Sequence, residues 1–210
     1  DTGNLAVVES WNGSSWTEVG DLNTARQQAG GAGTSTAAIT FGGYATFTEP
    51  EATTESWNGT SWTEVGDLNT ERLYGAPAGT ATSALYAGGD DGATPTVLAV
   101  AESWNGSAWT EVGDLNEGRS LVAGGGTSNT AALAFGGYPG SGRTAKTESY
   151  NGSSWTEVAD LSAARGRQSN GPIGTQGSSL SVSGHPPAFP LTQATEEFTL
   201  PLETAKVITD

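Results

Sequence analysis

Short runs of small or apolar residues, each closed by a glycine-rich or polar break, follow one another from Arg26 onward. Gln27 to Thr34 reads as a strand of small residues, and Thr36 to Phe41 as a second, stopped by Gly42-Gly43. Ala52–Trp57 is the third and Ser61–Val65 the fourth, with Asn58-Gly59 between them. Runs this short, bounded by turn residues, predict strands and not helices. Asn-Gly between two strand patterns predicts a two-residue hairpin with both turn residues at positive φ. That register sets Trp57 opposite Thr60 and Glu55 opposite Trp62, so both indoles and the carboxylate share one face, the indoles as diagonal neighbours. The first strand is the richest in Ala and Gly (Ala29-Gly30-Gly31-Ala32-Gly33), which suits a place where neighbouring sheets crowd together.

The pattern then recurs. Glu9-Ser10-Trp11-Asn12-Gly13 returns from Glu55, from Glu102 and, with Tyr150 in place of Trp, from Glu148. Arg26, Arg72, Arg119 and Arg165 advance in step with these glutamates, at intervals of 46, 47 and 46 residues. A period of this size fits propeller blades or paired-helix solenoids. Two glycine-rich stretches and an Asn-Gly turn per unit exclude the helices. The prediction is an all-β fold of four-stranded antiparallel blades repeated about an axis.

The order Arg, Gly-Gly, Glu-x-aromatic, Trp, carried by Arg72, Gly88-Gly89, Glu102-Ser103-Trp104 and Trp109, resembles the kelch repeat. It also resembles the central propeller of the galactose oxidase group. The spelling Glu-Ser-Trp-Asn-Gly-Ser/Thr resembles kelch-type propellers in virion or tail proteins of marine bacterial viruses. The resemblance implies a β-propeller of about four to five blades over residues 1–200. Residues 1–25 form a partial blade, complete blades start near Arg26, Arg72 and Arg119, and a divergent last blade spans 165–200. In that last unit Gly-Gly becomes Ser183-Gly184, Trp becomes Phe198, and Pro201 stands at the hairpin turn, so a fourth strand is not expected there. Residues 201–210 are a closing strand or a link to another domain. With no Met in the chain, a segment upstream of Asp1 is also expected.

Composition narrows the chemistry. Eight Lys and Arg against 23 Asp and Glu give a net charge of −15, which argues against nucleic-acid and membrane-surface partners. No apolar run is long enough to span a bilayer as a helix. The absence of Cys excludes thiolate catalysis and disulfides, and the copper chemistry of galactose oxidase does not carry over to a chain with no Cys and one His. That histidine, His185, reads as a solvated loop residue, so no catalytic residue is assigned and the chain is not read as an enzyme. No cofactor is required. Calcium is conceivable at Asp90-Asp91-Gly92 or at the repeated Asp21, Asp67, Asp114 and Asp160, but neither spacing makes a full calcium loop, and Asp before Asn or Ser more simply caps its own turn.

Residues that recur in every unit read as structural. Arg26, Arg72, Arg119 and Arg165 are expected to be held by carboxylates or carbonyls near the inner strands. Glu9, Glu55, Glu102 and Glu148 recur likewise. Trp11, Trp16, Trp57, Trp62, Trp104, Trp109 and Trp155 are expected to wedge between blades. Asn12, Asn58, Asn105 and Asn151 open glycosylation sequons that the turn itself explains. Binding is expected where the copies disagree, in the strand 2–3 loops on one face. Tyr44, Phe47, Asp90, Asp91, Tyr138 and Arg143 are the candidates, offering aromatic platforms, carboxylates and a bidentate donor. The expected role is a structural and recognition module at an extracellular or virion surface, with other virion or cell-surface proteins and host glycan as partners. An accessory propeller of a secreted bacterial carbohydrate-active enzyme and a designed repeat are the alternatives.

Overall fold

A computed structural model of the chain describes residues 3–45, 49–92, 97–167, 173–186 and 195–199. Among them there are strands and no helix. β1 (Glu9–Trp11) and β2 (Trp16–Glu18) form a two-stranded sheet. Three four-stranded antiparallel meanders follow. The first is β3 (Gly30–Thr34), β4 (Ala37–Phe41), β5 (Thr54–Trp57) and β6 (Trp62–Glu64). The second is β7 (Ala76–Thr80), β8 (Ser83–Asp90), β9 (Val97–Trp104) and β10 (Trp109–Val112). The third is β11 (Ala123–Ser128), β12 (Ala131–Phe135), β13 (Thr147–Tyr150) and β14 (Trp155–Glu157). The last sheet has three described strands, β15 (Gly174–Thr175), β16 (Ser178–Val182) and β17 (Thr195–Thr199).

The sheets meet along their first strands: β3 lies beside β7, β7 beside β11, and β11 beside β15. This arrangement is compatible with the blades of a propeller. Small residues are needed there because the backbones come close. A side chain at Gly124 of β11 would run into the Pro77 carbonyl of β7. Larger side chains enter farther out, where the sheets diverge and stack face to face. Phe41 meets Trp109 of the next sheet edge-on, with ring centroids 4.8 Å apart, and Tyr86 at 5.0 Å. Ile39, Phe41, Leu85, Leu133 and Trp104 are at most 2% exposed. Burying such side chains contributes roughly 1.5–3 kcal/mol each, which makes these stacked faces the main source of stability.

The third hairpin departs from the predicted register. Trp57 pairs directly with Trp62 and Glu55 with Glu64, and the two indoles lie 5.4 Å apart. The loop is four residues long because the Asn58 side chain takes the place of a backbone acceptor. Asn58 Oδ1 accepts the amides of Thr60 (2.9 Å) and Ser61 (3.0 Å), while the Asn58 amide donates to the Ser61 carbonyl. Gly59 adopts a positive φ of 93° but Asn58 does not, so the turn is not the doubly left-handed type. Asn12, Asn105 and Asn151 make the same two bonds in their own loops.

The repeated Arg and Glu find each other. Arg26 pairs Glu55 at 2.8 Å, Arg72 pairs Glu102 at 2.5 Å and Arg119 pairs Glu148 at 2.7 Å, all with side chains at most 2% exposed. Arg165 pairs Glu196. Each glutamate also accepts backbone amides of the segment that leads into its sheet: Asn23 and Thr24 on Glu55, Asn69 and Thr70 on Glu102, Asn116 on Glu148. The pair therefore fastens the incoming chain to the third strand of the same sheet. Buried charges held this way are satisfied by charge-assisted bonds.

Two predicted core residues are not core. Trp11 is 47% exposed and Trp16 63%, while Trp57, Trp104, Trp109 and Trp155 are buried. The tryptophan face of each later sheet packs on the sheet before it, and among the described residues no sheet precedes β1–β2. Asp67 and Asp160 do not cap their own turns either. Each reaches across to accept a third-strand amide, that of Thr54 or Thr147.

Candidate recognition face

At the end of the second strand of each four-stranded sheet a Gly-Gly pair turns the chain toward the next unit, and Ser183-Gly184 takes its place in the last sheet. Gly43, Gly89 and Gly137 donate their amides to the carbonyls of Arg72, Arg119 and Arg165, at 3.0, 3.0 and 2.8 Å. A Cβ on Gly42 would strike that same Arg72 carbonyl, so glycine is required by close approach as well as by its φ of 65°. The residue after each pair then bridges back to the residue after its own unit's arginine: Tyr44 to Gln27, Asp90 to Leu73, Tyr138 to Ser120 and His185 to Gly166. His185 thus joins this frame through its backbone, and the residue is half-buried.

The next position along is unusual. Gln28, Tyr74, Leu121 and Arg167, each two residues after a repeated arginine, all have left-handed backbones with φ between 56° and 61°. Such conformations are uncommon for residues other than Gly, Asn and Asp, and they persist only where the surroundings over-determine them. Two of them are held from the neighbouring unit, by the bonds from the Val122 amide to the Tyr74 carbonyl (3.2 Å) and from the Arg167 amide to the Leu121 carbonyl (3.1 Å). The frame is thus the same four times, while the side chains it displays differ: Gln28, Tyr74, Leu121 and Arg167 in one set, Tyr44, Asp90, Tyr138 and His185 in the other.

These side chains interact. Burial raises the Tyr74 hydroxyl above its ordinary value, and Tyr44, to which it hydrogen-bonds, raises it further. Arg167 acts in the opposite direction and Asp90 adds to the rise, so Tyr44, Tyr74, Asp90 and Arg167 form one electrostatic group drawn from three units. Tyr74 therefore stays a neutral hydroxyl, able to donate and accept, across the whole neutral range. Neither Tyr74 nor Arg167 was singled out from the sequence, because both fall in the stretch read as first strand. The available signal was their offset of two from the repeated arginine, where the copies read Gln, Tyr, Leu and Arg.

The other candidates are placed as follows. Tyr138 is 36% exposed and donates its hydroxyl to the Gly140 carbonyl of its own loop. Asp90 caps its turn by accepting the Gly92 amide at 2.8 Å, and Asp91 is half-buried beside it. Arg143 is half-buried, and its Nε has no hydrogen-bond partner. Phe47 lies outside the described residues. Among the described residues no three His, Asp or Glu side chains gather as a metal site would require. Asn4 donates to the Tyr44 and Ala45 carbonyls at 2.8 and 2.6 Å, so a side chain from the start of the chain anchors the first loop. No protein-family model matches the chain, and no curated protein matches it.

Proposed function

We propose that the chain is a kelch-type β-propeller that works as a non-catalytic recognition module of an extracellular assembly, with a viral tail or capsid surface as its setting. The ligand is host glycan or protein, held on the face where the strand 2–3 loops emerge. One observation carries the reading: a backbone frame repeated four times, strained at the same position each time, displays a different side chain in each copy. The frame itself serves the fold, and the side chains it displays, which differ from copy to copy on one rigid scaffold, are what a binding surface varies. Tyr44, Tyr74 and Tyr138 supply aromatic faces for sugar rings or side chains, and Arg143 and Arg167 supply donors for carboxyl or hydroxyl groups. The net charge of −15 turns polyanions away, which favours neutral or sparsely charged glycans.

The test is a glycan array with the whole chain and with Tyr44, Tyr74, Tyr138 and Arg143 changed together to Ala. Binding by the parent and its loss in the variant is the expected result. No binding by the parent, or unchanged binding by the variant, leaves a purely architectural role.

A further inference from the structure

A cavity of about 150 Å³ lies between the third four-stranded sheet and the last sheet, lined by Phe135, Thr147, Leu161, Ser181 and Phe198 among others. A space of that size holds one aromatic ring. Thr147 is 1% exposed and its hydroxyl has no hydrogen-bond partner.

The chain contains the same place already filled. Two sheet boundaries earlier in the chain, Thr54 stands at the position of Thr147, and Phe41 at that of Phe135. There the indole of Trp109, on the fourth strand of the following sheet, packs on Phe41 and donates Nε1–H to the Thr54 hydroxyl at 3.1 Å. The two other boundaries fit the same rule. Where Ala101 replaces the threonine, Trp155 donates to the Gly113 carbonyl, and where Val8 replaces it, Trp62 Nε1 is left without an acceptor. At Thr147 the acceptor is present, and among the described residues no donor meets it. β17 is the last described strand of its sheet, and no strand among the described residues pairs its outer edge.

The ring that fits does not come on a hairpin of the repeat's own kind. Gly20, Gly66 and Gly113 make room for the loop of the next sheet's hairpin, whose carbonyls would crowd a Cβ there, and Ala159 occupies that position at the last boundary. Asn23, Asn69 and Asn116 donate to the fourth-strand Trp carbonyl, and Ser162 stands in their place. We propose that this cavity receives the indole of a tryptophan carried on a single extended strand of a partner, which adds to the outer edge of β17, the edge that no described strand pairs. Main-chain bonds to β17 would supply affinity and the Thr147 hydroxyl would select the N–H of the ring.

Titration calorimetry of the whole chain with the peptide Ser-Trp-Thr-Glu-Val tests this. Binding is expected, with none for Ser-Ala-Thr-Glu-Val. A peptide carrying 1-methyltryptophan should bind about tenfold more weakly, the worth of one hydrogen bond. That tenfold preference should vanish in Thr147→Val, which removes only an unpaired hydroxyl and so keeps the fold. No binding by the tryptophan peptide, equal binding by the methylated one, or free indole binding as tightly as the peptide would overturn the proposal. None of these outcomes touches the loop face, which lies on other residues.

Discussion

Two copies of the repeated hairpin stand in different company. Glu102, Trp104 and Trp109 belong to the middle sheet, with a sheet stacked on each side, and are 0%, 2% and 5% exposed. Glu9, Trp11 and Trp16 occupy the same places in β1–β2, where Glu9 is exposed and the two indoles are about half in solvent. Both hairpins close with the same Asn side chain and pair tryptophan opposite tryptophan, with centroids 5.5 Å apart in each. Local sequence therefore dictates the hairpin, and the neighbouring sheet dictates what the hairpin is worth. A repeated residue has no single energetic value.

The ion pair breaks this comparison hardest. Glu102→Ala strands the buried Arg72 guanidinium and orphans the Asn69 and Thr70 amides, so a loss of about 3–5 kcal/mol is expected. Glu9→Ala removes a carboxylate that stands in solvent, and a change within about 0.5 kcal/mol is expected. Urea denaturation of the two variants gives the contrast directly. Equal losses would mean that β1–β2 is covered in solution, by the other end of the chain or by another molecule. Trp104→Ala against Trp11→Ala repeats the test without a charge, although the buried indole also donates Nε1–H to the Ala81 carbonyl at 3.1 Å. The buried indole should cost about 3–5 kcal/mol, and the exposed one less than half of that.

The sequence carried the repeat, the strand order and the glycine positions, because turns and crowding act on the backbone locally and leave a local spelling. It misled at the hairpin because Asn-Gly admits two turns. The chain uses the Asn58 carboxamide as an acceptor for two amides, and no dipeptide statistic distinguishes that from a doubly left-handed turn. The Arg–Glu pairing was readable only as two parallel series, since the partners stand about 30 residues apart and their meeting depends on how the incoming segment crosses the sheet. The candidate face was half legible. Loops that differ between copies announced Tyr44, Asp90 and Tyr138, but Tyr74 and Arg167 reach the same rim from inside a strand-like stretch, by a backbone conformation that composition does not encode.

The loop asparagines allow a test in which the two regions should agree. Asn105→Ala and Asn12→Ala each remove an acceptor for two amides, those of Ser107 and Ala108 or of Ser14 and Ser15. Because the loops are exposed in both places, water replaces the lost acceptor to the same extent, and each change should cost about 0.5–1.5 kcal/mol. A large cost at Asn105 with none at Asn12 would show that the loop of the middle sheet draws its stability from its neighbours and not from its own side chain.

The last sheet should yield first to acid, by the smallest margin of these effects. Burial works to raise the Glu196 carboxyl, but the amide and hydroxyl of Ser162 together with Arg165 outweigh it, so the group titrates below its ordinary value of 4.5. A carboxyl lowered by folding stabilises the folded state fully above its unfolded value, and that contribution fades as pH falls through the lower, folded one. Since Glu196 is still 21% exposed, solvent screens the pair and the effect is modest. Amide hydrogen exchange between pH 5 and pH 3 should show protection lost in β16 and β17 before it is lost in β8 and β9. In Glu196→Gln that early loss should be present already at pH 5 and change little on further acidification. If β16 and β17 kept their protection as long as the middle sheet, the Arg165–Glu196 contact would not be what fastens the last sheet, and the stacking of Phe198 on Leu133 and Phe135 would have to hold it instead.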